Sequence, residues 1–377
     1  MTRQELTNWL KESDPAKLKL LYRAAETVRL QTLRNAVCVH GIIEFSNHCS
    51  GSGIAGEKGG GGGCLYCGLQ ERNLSLNRYR LTAEEIVSLA TEAANEQGYK
   101  MLVLQSGTDP YYTTEMLAEI IRQIRQCARV LIFLSIGERS KKDYRALHQA
   151  GARGMLFRFE TSDSRLYAAL HPNGKLERRL EHLRWMKEVG FLIASGPLVD
   201  IPSPCPDKIP DQTTDSLADD IVLMKELGVK MASIGPYVKA DGALLAKLRP
   251  EKEGLSFNLA VKMIALTRLV MPNVRIPCTT ALEVSGLKNG LEIGEIRRLA
   301  LRAGATAFML SLAPDKARKN YCLYRGKEAI WHGGSRHSLE DLFCLIQEEG
   351  KTLCPGWGKK DDLTDQEFQE GICVVNH

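Results

Sequence analysis

The sequence predicts an α/β protein: a complete (β/α)8 barrel, preceded by helices and followed by a less regular extension. Three observations predict it. Segments of strand length alternate with helix-period segments along most of the 377 residues. The strand segments are apolar at consecutive residues, as in a parallel sheet covered on both faces. Eight such units follow one another, which favours a closed barrel over an open doubly wound sheet.

Residues 1–34 read as two helices punctuated by Asp14-Pro15. VCVHGIIEFSN (37–47) is β-branched and apolar and reads as the first buried strand. The remaining strands are expected at 99–107, 129–138, 154–161, 191–200, 229–238, 274–282 and 306–314. Helices are expected near 113–127, 140–150, 176–189, 213–227, 256–270 and 292–303. Another opens at Thr82, where Glu85 completes a capping box. Gly98, Gly151, Gly190, Gly228 and Gly304 stand at helix-to-strand joints, the place for a helix stop. Ser338 reads as the N-cap of a helix to Glu349. The domain reading is a helical segment at 1–36, a barrel at 37–314, and an extension at 315–377 that is loose after 355.

Composition narrows the function. The chain is 44% hydrophobic and 25% charged, with a formal charge of +5. No block of Lys and Arg suggests a nucleic-acid arm. No apolar run reaches membrane-spanning length, and the N-terminus lacks the apolar core of a signal peptide. A cytoplasmic protein without nucleic-acid or membrane partners is expected. Its eleven cysteines are then not a disulfide framework. Most stand alone and read as small buried hydrophobes.

Barrel active sites lie at the C-terminal ends of the strands. Polar residues recur there: Asn47, His48, Gln105, Ser106, Glu138, Arg158, Glu160, Asp200, Tyr237, Thr279 and Thr280. They do nothing for strand packing, and a shared cavity explains their recurrence. Cys49, Cys64 and Cys67 form the one local cysteine group, just after the first strand. A C-x-x-C fits zinc, a redox dithiol or an iron–sulfur cluster. Zinc would want a second ligand pair at matching spacing, and none stands out. A [4Fe–4S] cluster on three thiolates keeps one iron open. That iron can bind the amino and carboxylate groups of S-adenosylmethionine (SAM).

The sequence EFSNHC, then CLYCGLQERN, then RYRLTAEEIV resembles the HydE family, the radical SAM maturases of [FeFe]-hydrogenase. The resemblance continues through VLQSGTDPYYTTEM, FRFETSDSRLYAALHP, ERRLEHLRWMKEVGF, MASIGPY, KMIALTRLVMPN and IPCTTAL, and thins after about residue 325. It implies a [4Fe–4S] cluster on Cys49, Cys64 and Cys67, with SAM on Ser135, Glu160 and Arg179. Tyr66 would pack beside the adenine. Gln105 and Ser106 fall in the cofactor-facing part of the cavity. Arg158, Thr279 and Thr280 fall in its reacting, substrate-lining part. The implied substrate is a small molecule such as a cysteine-ligated iron carbonyl–cyanide complex, and maturation partners and an electron donor are implied with it. Competing readings are another small-molecule substrate, as in methylornithine synthase or the HcgA proteins, and a non-catalytic carrier of a metal complex.

The sequence departs from the family pattern most in the cysteine loop. The family spacing is C-x₃-C-x₂-C, whereas SGSGIAGEKGGGGG separates Cys49 from Cys64 here. Closing this longer loop costs only about 1.4 kcal/mol more. The glycines keep it pliable, and metal–thiolate bonds offset the cost. Cys49 therefore stays a ligand on this reading. DIPSPCPDKIPDQT is an extended Pro-rich loop, and Ala317 stands where the family carries an aromatic. Cys322, Cys344 and Cys354 lack the spacing of a second cluster.

Overall fold

A computed structural model describes residues 1–51, 63–253, 256–327, 330 and 336–354. The Gly-rich stretch 52–62 and the tail from Pro355 lie outside the described residues.

The strands are β1 (Ala36–Ser46), β2 (Met101–Ser106), β3 (Leu131–Ser135), β4 (Gly154–Leu156), β5 (Leu192–Ser195), β6 (Leu198–Val199), β7 (Met231–Ala232), β8 (Gly235–Pro236), β9 (Pro277–Cys278), β10 (Ala307–Ser311) and β11 (Thr352–Leu353). The main sheet runs β7-β5-β4-β3-β2-β1-β10-β9, all parallel. A bridge from Met231 to Arg275 brings its two edges together. The result is the eight-stranded, nearly closed barrel that the alternating pattern predicts. β6 and β8 pair separately above β5 and β7.

Alternation along the strands separates two apolar layers. Val37, Val39, Ile43 and Phe45 of β1 face the surrounding helices. Ile42 faces inward and packs with Met101, Val103, Leu131, Phe133 and Met309 in the barrel interior. The register aligns Ile42 with Val103 and Val103 with Phe133. Two residues further on, it aligns Glu44 with Gln105 and Gln105 with Ser135. A polar layer therefore sits directly on an apolar one.

The helices follow their capping signals. Thr82 and Glu85 form the expected reciprocal bonds, 2.7 and 3.2 Å. Asp14 caps the helix Pro15–Leu33 by accepting from Ala16 N at 2.8 Å. This helix packs on Phe257–Val270, and Arg3–Lys11 packs on Thr214–Leu227. None of the helices among the described residues is long and apolar enough to cross a membrane.

Four expectations are corrected. The strand expected at 154–161 is regular only to Leu156; beyond it Glu160 makes an isolated bridge to Pro197 and takes a left-handed conformation with φ +66°, which an unbroken strand to 161 would not allow. The strand expected at 274–282 ends at Cys278; the Thr279 hydroxyl accepts from Leu282 N and starts the helix Thr280–Lys288. The last helix begins at Arg336, ahead of Ser338. Cys38 and Cys354 are not lone buried thiols but a disulfide, with Cα atoms 5.0 Å apart. Its partners are 316 residues apart, so no local spacing announces it. β11 brings them together by pairing parallel to the start of β1, Ala36 with Thr352.

The disulfide gives a testable outcome. Peptide mapping without reductant should recover a Cys38–Cys354 cross-linked peptide from air-exposed protein. Reductant should lower its melting temperature, since closing so long a loop is worth up to about 5 kcal/mol. Cys354→Ser should abolish the response to reductant; an unchanged response would place the sensitive bond elsewhere.

Candidate functional site

A cavity of about 320 Å³ opens at the C-terminal end of the barrel. The twelve residues assigned to the cluster, to SAM or to the reacting molecule line it: Cys49, Cys64, Tyr66, Cys67, Gln105, Ser106, Ser135, Arg158, Glu160, Arg179, Thr279 and Thr280. They come from five barrel strands or the segments following them, and from the helix Leu176–Val189. Asn47, His48 and Asp200, also polar strand-end residues, do not line it. Asn47 instead bonds the carbonyls of Asn77 and Asn320, both at 2.8 Å.

The cysteine loop is held by backbone bonds. Cys67 N donates to Cys64 O at 3.1 Å, Leu65 N to Leu170 O at 2.9 Å, and Gly68 N to Leu323 O at 3.0 Å. A Cβ at Gly68 would lie 2.0 Å from the Cys322 carbonyl oxygen, so only glycine permits this approach. The Arg78 guanidinium donates to the carbonyls of Asn47 (2.5 Å), Leu69 (2.9 Å) and Gln70 (2.7 Å). It ties the C-x-x-C loop to the end of β1.

Cys49 has its own anchor. Ser50 N donates to Thr108 O at 2.8 Å, and the Ser50 hydroxyl to the same oxygen at 3.0 Å. A Cβ at Gly107 would lie 2.3 Å from His48 O and 2.5 Å from Cys49 Cβ. The loop after β2 therefore cradles Cys49 against the cavity, whatever the length of the chain between Cys49 and Cys64. Burial pushes the Cys64 thiol up to about 12, and the neighbouring Cys49 sulfur adds to it. Cys67 is raised well above the ordinary thiol range by burial, then by Cys64 and Cys49. Three thiols on one cavity wall are the donor set a metal cluster takes as thiolates, although among the described residues they are not drawn together at metal-binding distances.

The second group faces the same space. Arg158 Nε lies 3.3 Å from Glu160 Oε2, and Arg158 also donates to Pro197 O. Glu160 Oε2 is buried and has no hydrogen-bond partner among the described residues. Burial raises its carboxyl, against the pull of Arg158 and Arg179. Arg179 donates from Nε to the Tyr167 hydroxyl at 2.8 Å, lies 3.5 Å from Glu138 and stacks 4.0 Å from the Phe157 ring centre. Burial opposes its charge, but Tyr167, Glu138 and Cys64 outweigh burial and keep it protonated.

Tyr66 is oriented by His171. His171 Nδ1 meets Tyr167 O at 2.8 Å and so carries the proton; Nε2 then accepts from the Tyr66 hydroxyl at 3.0 Å. Burial, then Arg179, lowers this imidazole to about 3, so it is neutral at physiological pH.

Sequence reading missed Glu44, Tyr321, Tyr324 and Lys327, which also line the cavity. Glu44 carried a signal, a lone carboxylate inside an apolar strand. The others come from the extension and carried none. Ala317 is buried in apolar core, while Tyr321 and Tyr324 add aromatic surface to the cavity from the segment that follows. Gln105 Nε2 donates to the Tyr321 hydroxyl at 3.1 Å.

The turn that presents Glu160 is braced from behind. Asp220 accepts from Ser162 N at 2.6 Å and from Gln212 Nε2 at 3.1 Å. Burial raises its carboxyl to about 7, and Asp219 and Asp163 add to the rise. A raised carboxyl stabilises the fold below the unfolded-state value of about 4. That contribution is lost as pH climbs through 7. Asp220→Asn should remove this slope. Its melting temperature relative to wild type should be higher at pH 8 than at pH 5; parallel curves would show that Asp220 does not titrate in this range.

A family model described as the radical SAM superfamily matches residues 58–200. The chain is 36% identical over 357 residues to the [FeFe] hydrogenase maturase subunit HydE of Thermotoga maritima, covering 95% of this chain and 93% of that protein. It is 27% identical over 281 residues to 3-methylornithine synthase of Methanosarcina acetivorans, covering 74% and 73%. The solved structure of methylornithine synthase (PylB) superposes with a TM-score of 0.75 at 24% identity, covering 93% of this chain and 94% of that one.

Proposed function

Because the chain belongs to the HydE family of radical SAM enzymes, we propose that it serves [FeFe]-hydrogenase maturation by SAM-dependent radical chemistry on a small iron- and sulfur-containing molecule. The observation that carries this reading is the meeting of three thiols, Glu160 and Arg179 on one buried cavity. Family membership implies a [4Fe–4S] cluster and SAM as cofactors.

When bound, the cluster supplies one electron to the SAM sulfonium, whose C–S bond breaks to methionine and a 5′-deoxyadenosyl radical. This chain's residues hold and shield the reactants. Cys49, Cys64 and Cys67 are the three ligands, held by Arg78 and the loop after β2. Arg179 is placed to pair with the methionine carboxylate, a charge-assisted contact. Glu160, ion-paired with Arg158, keeps acceptor capacity and is placed to accept from the ammonium or the ribose hydroxyls. Tyr66, fixed by His171, gives a flat apolar wall for the adenine. Ser135, Gln105 and Ser106 complete the cofactor side, and Arg158, Thr279 and Thr280 face the reacting molecule. Barrel walls keep out solvent-borne C–H and S–H hydrogen-atom donors, which would otherwise quench a radical. The 1–36, 37–314 and 315–377 division remains our reading of the chain, with the extension contributing to the cavity.

The test is anaerobic reconstitution followed by iron and sulfide analysis and EPR. We expect close to one [4Fe–4S] cluster per chain, a reduced-cluster signal that changes when SAM is added, and 5′-deoxyadenosine under reducing conditions. A preparation holding no cluster, or forming no 5′-deoxyadenosine, would sink the proposal. Cys64→Ala should lose the cluster outright.

Glu138 steadies Arg179 without reaching the cluster, so its loss should act on SAM alone. Glu138→Gln should weaken SAM binding roughly 10-fold, about 1.4 kcal/mol, with iron content retained. Titration of the SAM-induced EPR change measures this; an unaltered midpoint would remove Glu138 from the site.

A further inference from the structure

Three cation–carboxylate pairs line the cavity among the described residues. Arg179–Glu138 and Arg158–Glu160 belong to the arrangement above. The third, Lys327–Glu44, has no part in it. Lys327 Nζ lies 2.8 Å from Glu44 Oε1, with side chains only 8% and 2% exposed. Glu44 Oε2 accepts from the Ser311 hydroxyl at 2.5 Å. The ammonium sits 4.4 Å from the Tyr321 ring centre.

Burying such a pair is costly, and an apolar pair of similar volume packs a barrel at least as well. Packing alone therefore gives no reason for it. Position does. Glu44 stands level with Gln105 and Ser135, directly above the apolar layer of Ile42, Val103 and Phe133. The pair thus lies at the deep end of the polar cavity. Cys49 follows the end of β1, on the far side of this layer.

The chemistry of the pair selects its guest. A lone anion reaching Lys327 would meet Glu44, and a lone cation reaching Glu44 would meet Lys327. A group carrying both charges on neighbouring atoms avoids both conflicts. Its carboxylate pairs with Lys327 and its ammonium with Glu44, so every charge stays matched. An ammonium has three donors and a carboxylate about four acceptor sites, so each can take the new partner without leaving the old one.

We propose that Glu44 and Lys327 form a subsite for the α-amino-carboxylate end of the substrate, holding it at the base of the cavity with its side chain directed toward the cysteines. This rests on the function proposed above and names the recognised end of its substrate. Lys327 and Glu44 are binding residues on this view, and Tyr321 and Ser311 position them.

The test uses anaerobically reconstituted enzyme saturated with SAM, so that the Arg179–Glu160 region is occupied. The probes are L-norvaline, butylamine, which lacks its carboxylate, and pentanoate, which lacks its ammonium. Calorimetry should show L-norvaline binding at least about 10-fold more tightly than either truncated probe, the ratio of one charge-assisted contact. Glu44→Gln/Lys327→Gln removes both charges together and leaves no buried charge unpaired; circular dichroism and the melting temperature verify its fold. In that variant the preference should vanish. Equal binding of the three probes to wild type, a preference that survives in the double variant, or no L-norvaline binding would each overturn the subsite. SAM cleavage is measured in the same preparation. Wild type that cleaves SAM without discriminating the probes overturns the subsite alone, whereas wild type that cleaves no SAM overturns the function on which it rests.

Discussion

The cavity depends on the register of the first three barrel strands. Parallel pairing puts Glu44, Gln105 and Ser135 at one height, and strand alternation turns all three inward. The layer beneath, Ile42, Val103 and Phe133, is wholly apolar and closes the barrel below. A one-residue slip of β2 would exchange Gln105 for Leu104 and move the polar groups into the helix layer. The apolar layer prevents such a slip, because it would also send Val103 out of the interior. Packing thus fixes the height at which chemistry begins.

Above that layer, the site is built from chain segments that would not hold their shape alone. The C-x-x-C loop buries Leu65 and Leu69, and is further held by Arg78 bonding four carbonyls and by Gly68 touching the extension. Cys49 relies on the loop after β2, through Thr108 and Gly107. Glu160 relies on a left-handed turn, a conformation costing on the order of 1–3 kcal/mol, which Asp220 secures through Ser162. In most cases the group that positions a functional side chain lies tens of residues away in the sequence. The electrostatics follow the same logic. Every lining cation named here lies beside a carboxylate, so the cavity brings strong local fields while its paired charges balance.

Much of the fold was legible. Consecutive apolar residues in β1 and β2 announced a doubly covered parallel sheet, and the signals at Asp14-Pro15 and Thr82 marked helix starts where a carboxylate or hydroxyl can accept. The interpretation failed at Thr279 for the second of two roles. Its β-forming propensity was visible, but its capping bond is local and stronger. The site was legible where polar residues interrupted apolar strands, as at Gln105 and Glu160. The extension was not, because Tyr321, Tyr324 and Lys327 lie in an irregular segment whose composition does not distinguish cavity from solvent.

The sequence by itself determined the alternating strand and helix pattern, the strand-end placement of the polar groups and the cysteine group after β1, because periodicity, propensity and capping act over a few residues. Only tertiary structure decided which distant groups meet. It joined Cys38 to Cys354, set Arg78 across the cysteine loop, cradled Cys49 on Gly107 and brought Lys327 onto Glu44. Those contacts span from 31 to 316 residues in the chain, and barrel closure is what makes them neighbours.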